Sequence, residues 1–131
     1  MTHDTLLMKY TGNIEFTIEE QSEEMVISQM PVTPGICNPY GTVHAGAMIW
    51  FADVTATVLA MGGAASPEDA QNFQLAIDLH TTLIGNQGEG VLRAEARFVK
   101  KGRRVSVVRT AVTGGNGRLL AEVTTTHIPA K

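Results

Sequence analysis

The stretch from Val43 to Met61, VHAGAMIWFADVTATVLAM, constrains the architecture more than any other part of the chain. It holds no proline and no glycine after Gly46, and apolar residues fall on nearly every face at helical spacing. Gly62-Gly63 follows it, the residue type that commonly ends helices. We therefore expect a helix over Thr42–Met61. A helix that is apolar all round must be wrapped by other structure or lie in lipid. Asp53 at its centre opposes membrane insertion by about 3 kcal/mol. Two threonines lie near it and no Lys or Arg anchors the flanks, so a membrane span is not expected.

The wrapping is legible on both sides. Ile14, Phe16 and Ile18 alternate with polar residues, Met25–Val32 forms a second strand, and three prolines and two glycines keep residues 31–41 irregular. After the helix, Phe73–Leu83 alternates as a strand and Gly85–Gly90 turns into Leu92–Phe98. Residues 103–113 and 118–128 make two more strands, joined by a hairpin at Thr113-Gly-Gly-Asn-Gly117. The order β-β-α-β-β-β-β implies an α+β domain in which an antiparallel sheet curls around one helix. With 131 residues and no internal repeat or linker, the chain reads as one domain over 1–131, residues 1–12 being a loose lead-in.

Charge is unevenly spread. Residues 1–65 carry one Lys against seven acids, whereas residues 66–131 carry nine basic side chains against six acids. Lys100, Lys101, Arg103 and Arg104 form the one basic cluster. On a chain of pI 5.7 this argues against a nucleic-acid partner, which needs a broad basic face. It suits a compact anion such as a nucleotide phosphate, or simply a solvated hairpin end. One cysteine, Cys37, cannot form an internal disulfide, and the chain reads as a cytoplasmic protein.

Between residues 25 and 67 the only Asp, Glu, Lys or Arg is Asp53. No Lys or Arg lies at i±3 or i±4 to pair with it. A carboxylate in an apolar helix shifts its pKa, finds donors, or lines a wet pocket where it serves as general base or nucleophile. Upstream, the small residues of Thr42-Val43-His44-Ala45-Gly46 should form the first helical turn and leave N–H groups uncovered at the positive end of the dipole. That is what a carbonyl-polarising oxyanion hole requires. The two features lie eight residues apart, about 12 Å at the helical rise, so two antiparallel helices from different subunits would bring them to one carbonyl more readily than one chain can.

The pattern Asn38-x2-Gly41-x2-His44-x-Gly46-x6-Asp53, with the strand order and the Gly102-Arg103 turn, resembles the hotdog-fold thioesterases, in particular the phenylacetate-degradation (PaaI-like) and 4-hydroxybenzoyl-CoA thioesterase group. The resemblance spans about residues 12–128. It implies a hotdog fold, hydrolysis of acyl-CoA thioesters, no cofactor or metal, and homodimers commonly paired into tetramers. By resemblance, Asp53 is the base or nucleophile and the Ala45 N–H polarises the thioester carbonyl from the other subunit. Asn38 positions the water or the thioester, His44 orients the loop and Thr57 holds the water, while Lys101, Arg103 and Arg104 contact the CoA phosphates. Two departures stand out. The family's His-Gly-Gly is His44-Ala45-Gly46, and the hydroxyl that many relatives carry on the strand after the helix is absent at the nearest positions, Gln74 and Ala76.

Other constellations are weaker. Cys37 with His44 lacks an orienting third group. Asp78 and His80 share a strand face, lack a third metal ligand, and read as a mutually paired couple. Gly114–Gly117 is flanked by strands and is not a phosphate loop. A non-catalytic acyl-CoA binder and an enoyl-thioester hydratase or dehydratase are the rival functions.

Overall fold

A computed structural model of the chain describes residues 11–62 and 73–130; the outer part of the lead-in, Gly63 and the polar loop before residue 73 lie outside them. The elements are β1 (Thr17–Gln21), β2 (Met25–Pro31), α1 (Ala45–Ala60), β3 (Gln74–Leu83), β4 (Val91–Lys100), β5 (Ser106–Thr113) and β6 (Leu119–Pro129). Every paired neighbour is antiparallel, in the order β1-β2-β4-β5-β6-β3. This is the expected α+β hotdog arrangement, one sheet curled about one helix.

Strand alternation decides what the helix touches. Leu92, Ala94 and Ala96 of β4, Val108 and Val112 of β5, and Ala121 and Val123 of β6 are all buried beneath α1. The small residues among them let the helix approach the sheet closely. Helix residues Ala47, Met48, Phe51 and Ala52 pack in one apolar cluster, Ala56, Val58 and Leu59 in a second. Phe16 closes one flank, its ring edge-on to Trp50 and Phe51 at 5.2 and 5.1 Å between centroids. Each such contact contributes about 0.5–1.5 kcal/mol beyond burial alone. Among the described residues no helix is long and apolar enough to cross a membrane.

Four expectations need correction. The helix starts at Ala45, not Thr42. Val43 forms an isolated bridge with Cys37, and its N–H and C=O are both taken by Asn86, so this segment stays extended and His44 becomes the N-cap. The first strand begins at Thr17; Ile14 and Phe16 precede it and pack on the core. The strand placed at 103–113 begins only at Ser106, because Gly102 and Ser106 bond across the intervening turn. Asp78 and His80 do not pair. Both are exposed and, two positions apart on one strand, neither side chain makes a hydrogen bond or ion pair with any described residue.

The wrapping is also incomplete. Ile49, Trp50, Asp53, Val54, Thr57 and Ala60, one stripe of α1, are only half-buried. Beside that stripe, β3 is an edge strand. Its Leu79 and Leu83 lie opposite the buried Thr125 and Ala121, on the helix side of the sheet, yet remain 41% and 50% exposed.

Candidate active site

Asp53 lies in the middle of the uncovered stripe. Its Oδ1 is buried and no donor among the described residues reaches it, so no described loop satisfies this carboxylate. Burial raises its pKa above the ordinary 3.8, through desolvation alone and with no cation to offset it. One turn on, the Thr57 hydroxyl donates to the Asp53 backbone carbonyl at 2.9 Å. Its proton is committed there, while its lone pairs remain available on the same stripe.

The start of α1 carries the complementary feature. No side chain caps the helix, and the N–H groups of Ala45 and Gly46 have no acceptor among the described residues. The next donors, Ala47 and Met48, turn back to the His44 carbonyl at 3.0 and 3.3 Å. A Cβ built on Gly46 would meet nothing within 4 Å, so the approach to these two donors is open. Unpaired N–H groups at the positive end of a sixteen-residue helix are suited to stabilising developing negative charge on an oxygen.

His44 is exposed, with its backbone N–H bonded to the Ile36 carbonyl at 2.9 Å. Asn38 spends its side chain within its own loop. Its Oδ1 accepts the N–H groups of Tyr40 and Thr42 at 2.9 and 3.2 Å, and its Nδ2 donates to Thr42 Oγ1 at 2.5 Å. In this chain Asn38 therefore shapes the loop ahead of the helix. Cys37 packs against the main apolar cluster, with no contact that would make a nucleophile pair with His44.

The basic cluster divides. Arg104 lines a cleft of about 520 Å³ with Val105, Ile128 and Pro129. Lys101 turns the other way, its Nζ 5.5 Å from the Phe98 ring centroid, into a separate hollow shared with Glu23, Glu24 and Arg97. Arg103 is exposed between them. Among the described residues no three His, Cys, Asp or Glu side chains gather as metal ligands.

Two residues escape sequence reasoning. Thr81 on β3 sits opposite the buried Val123, and so on the helix side of the sheet, with Oγ1 buried and without a partner among the described residues. Its signal was a threonine in the apolar phase of that strand's alternation. Asn86 fixes Val43 from 43 positions away and left no trace in local pattern.

A family profile described as the thioesterase superfamily matches residues 40–121, which take in His44, Ala45, Gly46, Asp53 and Thr57 but not Asn38. No curated protein sequence matches significantly. Several solved structures share the fold. A thioesterase from Haemophilus influenzae superposes with a TM-score of 0.77 at 17% identity, over 86% of this chain and 76% of that one. A mutant thioesterase from Staphylococcus aureus gives 0.79 at 19%, over 86% and 91%. A hypothetical thioesterase from Streptococcus pneumoniae, crystallised with coenzyme A, gives 0.77 at 18%, over 87% and 84%.

Proposed function

The chain belongs to the thioesterase superfamily and is a thioester hydrolase; from that premise we propose that it hydrolyses acyl-CoA, releasing a free acid and CoA, in a site shared between two copies. The observation that carries this reading is the unpartnered, desolvated Oδ1 of Asp53 in an otherwise apolar helix stripe. Ionised Asp53 takes a proton from water, and the hydroxide attacks the thioester carbonyl carbon. The oxyanion that forms accepts the N–H of Ala45, with Gly46 beside it. Collapse breaks the C–S bond, and the proton held by Asp53 passes to the departing CoA sulfur.

About 12 Å of helix separates Asp53 from Ala45 in one chain, so the carboxylate and the oxyanion donor come from different copies in this mechanism. The exposed apolar side chains of β3 and its free edge support pairing of copies along that strand. Two such dimers would then assemble into a tetramer. Arg104, beside its cleft, is the best placed of the basic residues for a nucleotide phosphate, with Arg103 next to it and Lys101 more distant in direction. The incompletely covered Trp50 and Val54 of α1 and the exposed Leu79 of β3 offer apolar surface that suits an apolar acyl group.

The test is thiol release across aryl-, short- and medium-chain acyl-CoAs, wild type beside Asp53→Asn. Asp53-dependent release supports the assignment. Tight binding of CoA esters without turnover would instead make the protein a binder, and hydration of an enoyl thioester without thiol release would make it a hydratase.

A further inference from the structure

The residues that precede α1 present a choice between two conformations. Thr42 is a good N-cap, and Val43 and His44 are compatible with helix. If the helix started at Val43, the Thr42 side chain would cap the Ala45 N–H and the Thr42 carbonyl would accept the Gly46 N–H. Both donors of the proposed oxyanion hole would then be consumed within the helix. The fold holds the other conformation. Asn86 Nδ2 donates to the Val43 carbonyl at 2.9 Å and so occupies the acceptor that the Ala47 N–H would use in a longer helix, while its Oδ1 accepts at 2.8 Å the Val43 N–H, which such a helix would leave without an internal partner.

The turn that carries Asn86 is itself braced. The same Oδ1 accepts the Gln87 N–H at 2.8 Å, and the Asn86 carbonyl accepts Arg118 Nη2 at 2.6 Å. Two positions on, a Cβ at Gly88 would stand 2.5 Å from the Gly41 carbonyl oxygen, so the turn presses against the loop at a second point that only glycine allows. On the loop's own side, Asn38 Nδ2 occupies the Thr42 hydroxyl that would otherwise serve as the cap.

We propose that Asn86 is a positioning residue for the thioesterase reaction, holding Val43 extended so that the Ala45 and Gly46 N–H groups stay open to the substrate carbonyl. The proposal rests on the acyl-CoA thioesterase assignment above. It differs from a general structural role because it names the competing state, a helix extended to Val43 and capped by Thr42.

The experiment measures kcat and KM for thiol release in wild type, Asn86→Ala, Thr42→Val and the double variant, with thermal melting alongside. Asn86→Ala should lower kcat by about 10-fold or more, in line with the loss of an oxyanion donor, and leave KM within about 2-fold. Adding Thr42→Val removes the competing cap and should restore at least about 3-fold of that loss. Unchanged kcat in Asn86→Ala overturns the proposal and leaves the thioesterase assignment standing. A loss that Thr42→Val does not relieve also overturns it. If Asn86→Ala fails to fold, the surface variant Arg118→Ala loosens the same turn: a kcat fall at constant KM supports the proposal, and no change overturns it. Silence of the wild type on every acyl-CoA overturns both statements.

Discussion

Thr57 donates its hydroxyl proton to the backbone carbonyl of Asp53 at 2.9 Å, one turn apart on the helix stripe that the sheet leaves uncovered. The bond commits the Thr57 hydroxyl proton, one turn from a carboxylate whose Oδ1 has no partner among the described residues. In the proposed mechanism these two side chains hold the attacking water, and the consequences for Asp53 can be measured.

Asp53→Asn should reduce kcat by about 100-fold or more, the usual contribution of a positioned base, while keeping the fold. Because burial raises the Asp53 pKa, the acid limb of kcat/KM in the wild type should lie above the ordinary carboxylate value of 3.8. The same shift has a stability sign. A carboxyl with a raised folded-state pKa stabilises fully below 3.8, and that contribution is lost as pH rises through the folded value. Asn at 53 should remove this decline in denaturant titrations across the window. An acid limb at the unperturbed value would contradict the environment described for Asp53.

Leu79→Glu places a charge on the exposed apolar face of β3, where copies are proposed to pair. Sedimentation should show a smaller assembly, and thiol release should fall with it, since carboxylate and oxyanion donor are assigned to different copies. Full activity in a monomeric variant would rule out the shared site.

Arg104→Ala should raise KM for an acyl-CoA several-fold and leave kcat nearly unchanged. The same variant should not affect a truncated thioester such as an N-acetylcysteamine ester, which lacks the nucleotide phosphates. Equal effects on both substrates would remove Arg104 from phosphate binding. Since this residue is exposed, the effect should weaken at high salt.

Thr81→Val tests the unpartnered hydroxyl on β3. Replacing a buried, unbonded hydroxyl by an isosteric methyl should stabilise the fold by about 1 kcal/mol. If that oxygen takes part in holding the water, kcat falls in the same variant. A stabilised protein of unchanged kcat assigns Thr81 to the core alone.

His127 gives a second pH signature. It is 0% exposed, with Nε2 2.7 Å from the Thr125 hydroxyl and Nδ1 without a partner among the described residues, and burial lowers its pKa below 6.5. A histidine depressed in the folded state stabilises above 6.5 and loses that contribution as pH falls through the folded value. Denaturant midpoints should therefore drop on acidification below 6.5, and His127→Leu should flatten the slope.

Local pattern was enough for the elements and for the outlying carboxylate. The alternation in β3 to β6 and the apolar run around Asp53 depend on neighbours two to four positions away, which a linear reading contains. Hence the α+β class, the succession of elements along the chain, the lone charge at residue 53 and the small residues at 45 and 46 could all be inferred from residue order. The start of the helix could not. Thr42 is a good N-cap and Val43 and His44 are compatible with helix, but the Val43–Cys37 bridge, the Asn38 N–H on the Thr42 carbonyl at 2.8 Å, and Asn86, brought across from the β3–β4 turn, hold the segment extended. The same holds for Lys101 and Arg104, three positions apart in sequence yet turned to different clefts, and for Thr81, whose buried hydroxyl depends on register with β6. Sequence determined which residues could do chemistry because side-chain type and periodicity are local properties. Tertiary structure decided which N–H groups stay free and which face of the helix stays open, because those depend on hydrogen bonds and packing between segments far apart in the chain.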